Sequence, residues 1–311
     1  MRYIDLHCDT ASRMLYENQG LKKNKFSVDI EKLNKGGALA QVFAFFIDAG
    51  EADNLYLEFE IMHKNLINEF EKNKKHIEIV RNINELNEVE KQGKIGAFLS
   101  IEEGDVLEGK VENIRKVYDK GIRIITLTWN YKNKIGYPNY NYIYKDKGLE
   151  ELGFEMVYEM ENLGIIPDAS HLSDAGFYDL VRKCKKPFIA SHSNSRSITN
   201  HPRNLTDDMI KLLADKGGVM GINFCSYFLG KNKIASIEDM VKHIKHIKNV
   251  GGIDVISLGS DFDGIENKVE IEDCSEMNKL AEILIKEGFS YDEIEKIYYK
   301  NALRVFLEVL K

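Results

Sequence analysis

Tyr3-Ile4-Asp5-Leu6-His7-Cys8-Asp9-Thr10 opens the chain with an apolar, strand-like run that stops on His7-x-Asp9. An open, doubly wound sheet would follow its first strand with a glycine-rich phosphate loop. Here side chains that bind metals stand in that place. Further along, short apolar and β-branched runs alternate with stretches of helical period, the signature of repeated βα units. After Tyr3–Cys8 the strand candidates are Leu39–Phe46, Ile95–Ile101, Ile122–Thr128, Ile165–Ala169, Phe188–Ser191, Gly218–Asn223 and Val255–Gly259, eight in all. Helical stretches include Leu55–Lys72, Leu149–Leu163, Thr206–Lys216 and Ile237–Val250, with Cys274–Lys286 and Tyr291–Val309 after the last strand. The expected fold class is α/β, a (β/α)8 TIM-like barrel of the metal-dependent hydrolase type, occupying residues 1–311 as one domain.

Local signals agree. Thr206 precedes two aspartates, and Ser290 stands three residues before Glu293 in a capping-box arrangement. Gly121, Gly164, Gly217 and Gly251 each fall between a helical stretch and a strand, where a left-handed cap is expected. The composition, 43% hydrophobic and 30% charged, suits a globular protein with a large core, and four prolines leave no room for a proline-rich linker. A net charge of −7 argues against nucleic acid as a partner. Cys8, Cys184, Cys225 and Cys274 are scattered, as expected of reduced thiols rather than a disulfide framework. Met1 leads straight into the first strand, and no apolar run could span a bilayer, so the expected location is cytoplasmic and away from membranes.

In a barrel the C-terminal strand ends form the active-site face, where residues distant in sequence converge. Strand alternation places His7 and Asp9 on one side, and an imidazole beside a carboxylate suits zinc and similar cations. The third strand ends in Ser100-Ile101-Glu102-Glu103-Gly104, the fifth in Asp168-Ala169-Ser170-His171 and the sixth in Ala190-Ser191-His192. Gly259-Ser260-Asp261 closes the eighth, and Arg203 follows the sixth, where its guanidinium could grip a carboxylate bidentately. Each of these has a plain structural reading: a capping aspartate, a hydrogen-bonded histidine, a surface ion pair. Ligand-type residues at five of eight strand ends are harder to obtain from structural need alone.

Together the segments His7-Cys8-Asp9, Glu103-Gly104, Ser170-His171-Leu172-Ser173, Ser191-His192-Ser193, Arg203-Asn204-Leu205-Thr206-Asp207-Asp208 and Gly259-Ser260-Asp261-Phe262-Asp263-Gly264 resemble the membrane (renal) dipeptidase family, metallopeptidase family M19, in the family's order and across nearly the whole chain. The resemblance implies two divalent ions, expected to be zinc: one on His7 and Asp9, the other on His171 and His192, with Glu103 bridging both. It further implies that a metal-bridging hydroxide attacks the peptide, that Asp261 holds that water and shuttles its proton, and that Arg203 takes the free carboxylate of a dipeptide. Tolerance of a C-terminal D-residue and a homodimeric assembly are implied as well. One position departs from the family. Where its mammalian members carry an oxyanion-stabilising histidine, this chain reads Leu127-Thr128-Trp129-Asn130. Indole has one N–H donor and no cationic form, so Asn130 or His201 would have to serve there. Trp129 and Asn130 are therefore expected at the substrate.

Two rival readings are kept. One is a metal-dependent amidohydrolase acting on a cyclic amide, lactone or nucleobase; such enzymes usually begin with His-x-His, whereas Asp9 stands here. The other is a non-catalytic barrel with a structural metal, supported only by Trp129.

Overall fold

Strands buried on both faces need continuous apolar runs, and the parallel strands of this chain have them. In a computed structural model, which describes residues 1–311, the strands are β1 (Tyr3–Cys8), β2 (Ala38–Phe46), β3 (Ile77–Ile79), β4 (Ile95–Glu102), β5 (Ile122–Thr126), β6 (Ile166–Asp168), β7 (Ile189–Ala190), β8 (Val219–Ile222), β9 (Ile234–Ala235), β10 (Ile256–Leu258) and β11 (Lys268–Val269). β1, β2, β4, β5, β6, β7, β8 and β10 pair in parallel in that order. Asp5 of β1 faces Leu258 of β10 and closes the ring, giving the expected (β/α)8 barrel. One apolar core extends from Tyr3 to Leu310. No helix is long and apolar enough to cross a membrane.

All eight expected strands form, trimmed or extended by one or two residues at their ends. β3 is an addition outside the ring. It pairs with the first residues of β4, Ile77 opposite Ile95, along the edge that β5 takes up from Leu99 onward. Three residues, the middle one charged, carry too little pattern to be read as a strand. The two-residue ladder of β9 and β11 is likewise too short, and it ties the loop after β8 to the loop after β10.

The helix ends follow their capping chemistry. The Thr206 hydroxyl accepts from Met209 N, and Ser290 with Glu293 forms the reciprocal capping box. Gly121, Gly164 and Gly217 adopt positive φ as expected. Gly251 does not: the helix Ile237–Gly251 runs one residue further, and Gly252 takes the φ of +83°. The final helical stretch holds a π segment at Lys296–Lys300 between Tyr291–Glu295 and Asn301–Val309. Next to it the Asn301 amide donates to the carbonyls of Ile253 and Ile256, which anchors the helix at the start of β10.

The loops that carry the site are fastened from behind. His243, fully buried on the helix Ile237–Gly251, accepts from Ser195 N through Nδ1 and donates through Nε2 to the Leu229 carbonyl, both at 3.0 Å. These partners lie after β7 and after β8. The arrangement uses one ring nitrogen as acceptor and one as donor, which only the neutral imidazole provides. Burial holds its pKa down to about 4, against roughly 6.5 in an unfolded chain. Between those values the unfolded chain binds a proton that the folded protein refuses, so this contribution is full above pH ~6.5 and is lost as pH falls towards ~4. His243→Gln should therefore lose less stability than the parent on acidification from pH 7 to 4.5, measured as urea midpoints. Parallel pH curves for the two proteins would remove His243 from the balance.

Candidate metal centre and active site

β1 delivers His7 and then Asp9, two residues apart and on one side. Asp9 sits at the N-cap of the helix Thr10–Tyr16, where an aspartate normally caps, yet its side chain makes no capping bond. Its Oδ2 instead lies 3.3 Å from His7 Nε2, and its buried Oδ1 has no partner. The capping-aspartate reading is thereby excluded.

The glutamate that meets the histidines is Glu102, not Glu103. Glu102 Oε2 lies 3.1 Å from His7 Nε2, while Oε1 lies 2.9 Å from His171 Nε2 and 3.5 Å from His192 Nε2. Glu103 turns away at a φ of +95°. Its carboxylate accepts from Asp105 N at 2.9 Å, Trp129 N at 3.1 Å and the Asn133 amide at 2.7 Å, and so anchors the segment after β5. Adjacent residues of an extended strand point to opposite sides, so only one of the pair can reach the centre. The sequence held the signal: polar Ser100 and Glu102 share one parity of β4, apolar Leu99 and Ile101 the other.

His171 and His192 follow β6 and β7, with Nε2 atoms 3.1 Å apart. A chain of hydrogen bonds sets the tautomer of His192. The Ser191 hydroxyl donates to Asp168 Oδ2 at 2.5 Å and accepts at 2.7 Å from His192 Nδ1, which leaves the Nε2 lone pair free. Asp168, fully buried, also accepts from Thr126 Oγ1 and from the backbone N–H groups of Ser170 and Ser191. Asp168 and Ser191 stand in the quoted strand ends without an expected role; an acid at the end of an apolar strand, three residues before an expected ligand, is the available cue.

Asp261 follows β10 with its Oδ1 3.9 Å from His7 Nε2. A Cβ on Gly264 would fall 2.1 Å from Asp9 Oδ2 and 2.7 Å from Asp261 Oδ1, so only glycine leaves this cradle open. Arg203 is buried, with Nε and one terminal nitrogen unpartnered, and its Nη2 donates to the His192 carbonyl at 3.3 Å. No carboxylate neutralises it by direct contact, so the surface-salt-bridge reading fails and an anion-accepting role is left open.

Asp9, Glu102, His171, Arg203, Asp261 and Gly264 line a cavity of about 570 Å³ at the barrel mouth, together with Trp129, Asn130, Asn139 and His201; His7 and His192 meet this lining at Glu102. The Trp129 ring packs edge-on to Phe46 at 4.7 Å and lies 6.2 Å from the His171 ring. Trp129 thus forms wall. Asn130 also lies on the wall, beside it. His201 stacks on Phe228 at 4.6 Å and accepts from Arg203 N through Nδ1. Burial and the neighbouring Arg203 charge push its pKa down to about 4, so it stays neutral.

The electrostatics fit a cation centre. Burial, with the Arg203 charge, lowers His171 to about 4, and burial with the His7 charge does the same for His192. Both rings are neutral, as metal ligands must be; His7 differs, because against burial the Glu102 and Asp9 carboxylates hold its pKa well above the usual range, and a cation there would have to displace that proton. Burial works against the Glu102 carboxylate, but the His7 charge and the surrounding imidazoles hold it well below the usual range. Burial and the nearby Glu102 and Asp261 carboxylates raise Asp9 to about 8, against the pull of His7. Two groups of donors lie close enough to hold an ion, His7 with Glu102 and His192, and His7 with Asp9 and Asp261. Imidazole and carboxylate donors of this kind, with His7 Nε2 and Asp9 Oδ1 unpartnered, match a borderline divalent cation.

Comparison with known proteins places this geometry. The model of the membrane dipeptidase family, peptidase family M19, matches residues 1–311. An uncharacterized dipeptidase of Schizosaccharomyces pombe is 31% identical over 306 residues, covering 89% of this chain and 71% of the yeast protein. Two solved structures share the fold throughout. The dipeptidase AC, an M19 metallopeptidase, superposes with a TM-score of 0.90 at 22% identity over 100% of this chain and 99% of its own. A Rhodobacter sphaeroides metallopeptidase, liganded with a phosphinate mimic of the dipeptide L-Ala-D-Ala, gives 0.89 at 21% identity over 99% of both chains. From the match along its whole length, this chain belongs to the membrane dipeptidase family, peptidase family M19.

Proposed function

We propose that residues 1–311 act as one barrel unit that holds two divalent cations, zinc being the expected ion, and hydrolyses dipeptides with a free C-terminal carboxylate. The observation that carries this reading is the division of Glu102, one oxygen towards His7 and the other towards His171 and His192. His7 and Asp9 would hold one ion, His171 and His192 the other, with Glu102 shared. Such a pair supplies Lewis-acid polarisation of a carbonyl and lowers the pKa of a water.

The chain's own residues supply the rest. Arg203 offers a buried guanidinium with two unpartnered donors, Nε and Nη1, to a substrate carboxylate. Its burial makes that contact strong and fixes the distance from the carboxylate to the scissile bond, which favours dipeptides over longer chains. Asp261 Oδ1 takes a proton from the attacking water and returns it to the departing nitrogen. Phe46 and Trp129 wall the cavity and keep bulk water from the reacting groups. Acceptance of a C-terminal D-residue belongs to this reading. It is supported by the family and by the ligand of the Rhodobacter sphaeroides relative.

Two substitutions separate the neighbouring glutamates. Glu102→Gln should lower the metal content of purified protein below two ions per chain and abolish dipeptide hydrolysis. Glu103→Gln should keep both ions yet lower stability by about 1–3 kcal/mol, since three donors lose their charged acceptor. Elemental analysis that shows the opposite pattern would restore Glu103 as the bridge.

Arg203→Ala should raise KM for dipeptides by about 30-fold or more, the equivalent of roughly 2–4 kcal/mol for a buried charge-assisted contact. Metal content should not change. A KM equal to that of the parent enzyme would take Arg203 out of the substrate site.

A further inference from the structure

Asp261 presents two carboxylate oxygens, and only one of them is turned to the centre. Oδ1 faces His7 Nε2, whereas Oδ2 accepts a hydrogen bond of 2.9 Å from the amide nitrogen of Asn223. Asn223 follows β8, is fully buried and has no freedom to turn its amide over. Its Oδ1 accepts from Cys225 N at 2.6 Å, so its Nδ2 must be the end that points at Asp261. The backbone is pinned as well: Asn223 N donates to Asn194 Oδ1, and the Asn194 amide donates back to the Asn223 carbonyl. Nδ2 also lies 3.2 Å from the His192 carbonyl, the same oxygen to which Arg203 Nη2 donates at 3.3 Å. One carbonyl thus connects Asn223 and Arg203.

We propose that Asn223 is a positioning residue of the hydrolytic reaction: it fixes Asp261 so that Oδ1 alone reaches the attacking water and the leaving nitrogen. The inference rests on the reading of Asp261 as proton shuttle. In the step concerned the water oxygen bonds to the scissile carbon and the C–N bond breaks. One water proton passes through Asp261 Oδ1 to the amine, so atoms and charge balance. Without the Asn223 amide the Asp261 carboxylate turns freely about its side-chain bonds. Asp261 is already held at a φ of +63°, so its backbone fixes the Cα but not the orientation of the oxygens. Nothing else in the protein donates to either oxygen of the Asp261 side chain.

The test uses the metal-loaded full chain and two substrates that both keep a carboxylate for Arg203. One is an ordinary dipeptide. The other carries a C-terminal dehydroamino acid, whose departing nitrogen is a weakly basic enamine and needs less protonation. Asn223→Ala should lower kcat on the ordinary dipeptide by about 10²-fold, the size of a general acid–base contribution. KM and metal content should stay within about twofold of the parent by the same reasoning, since no substrate or metal contact is removed. On the dehydro substrate the loss should shrink to below about tenfold. In an Asp261→Ala background, Asn223→Ala should cause no further loss, because the two residues act as a unit. Asn223→Ser, whose shorter hydroxyl can still accept from Cys225 N but does not reach Asp261, carries the same expectation and stands in if the alanine variant does not fold. An equal loss on both substrates, loss of metal, a full additional loss in the Asp261→Ala background, or failure of both variants to fold would make Asn223 structural and overturn the inference. Asp261→Ala at parental turnover would instead sink the proton-shuttle reading, and the inference with it.

Discussion

The barrel closes on a buried carboxylate. Asp5 of β1 accepts from Ser260 N at 2.8 Å and Ser260 Oγ at 2.7 Å, just beyond β10, and from the Gln41 amide of β2 at 3.0 Å. A charge taken out of water costs several kcal/mol unless its lone pairs are satisfied; three donors satisfy these. Burial pushes the Asp5 pKa up, and the Ser260 and Gln41 hydrogen bonds pull against it. Immediately above this seam Asp261 N donates to the His7 carbonyl, and Asp9 N to the Phe262 carbonyl. The first and last strands are thus locked in a register that sets His7 and Asp9 beside Asp261. Glu102, His171 and His192 can meet them only because the ring is closed there.

What the closed ring collects is an environment poor in compensating charge. Three carboxylates and three imidazoles share a space from which water is largely removed, with Arg203 the buried guanidinium at its wall. Burial keeps two imidazoles neutral, while Asp9 resists ionisation beside Glu102 and Asp261. Divalent cations would relieve that imbalance and satisfy the unpartnered atoms together. The backbone also holds strain here. Glu103, His171, Asp261 and Asp263 all adopt positive φ without being glycine, which costs of order 1–3 kcal/mol each and persists where the surroundings over-determine it. At Glu103 and Asp261 it re-aims the chain as the strand ends; at His171 it turns the ring towards His192.

The barrel was legible because eight parallel strands leave eight apolar runs, each long enough to show. β3 was not, since a three-residue edge strand buries too little to leave a pattern. His7, Asp9, His171, His192 and Asp261 were readable as polar residues at strand ends and Arg203 as a cation in the loop after one; Asp9, His171, Asp261 and Arg203 line one cavity, and His7 and His192 meet it at Glu102. The choice between Glu102 and Glu103 turns on a single residue of strand register: β4 continues to Glu102, one residue beyond the apolar run that ends at Ile101. Parity with Ser100 decides the matter, because residues two apart on an extended strand share a side. Asn223, Asp168 and Ser191 act through hydrogen bonds to residues remote in sequence, and such partnerships have no local period. Gly264 matters only through the space it leaves, which composition cannot reveal.

Crystals of the zinc-loaded protein, recorded at the zinc absorption edge, would locate the ions directly by anomalous scattering. Two peaks roughly 3.5–4 Å apart, one beside His7 and Asp9 and one beside His171 and His192, with the Glu102 carboxylate between them, are the expected result. A single peak, or two that leave Glu102 without contact to either, would contradict the shared-carboxylate centre on which the hydrolytic reading stands.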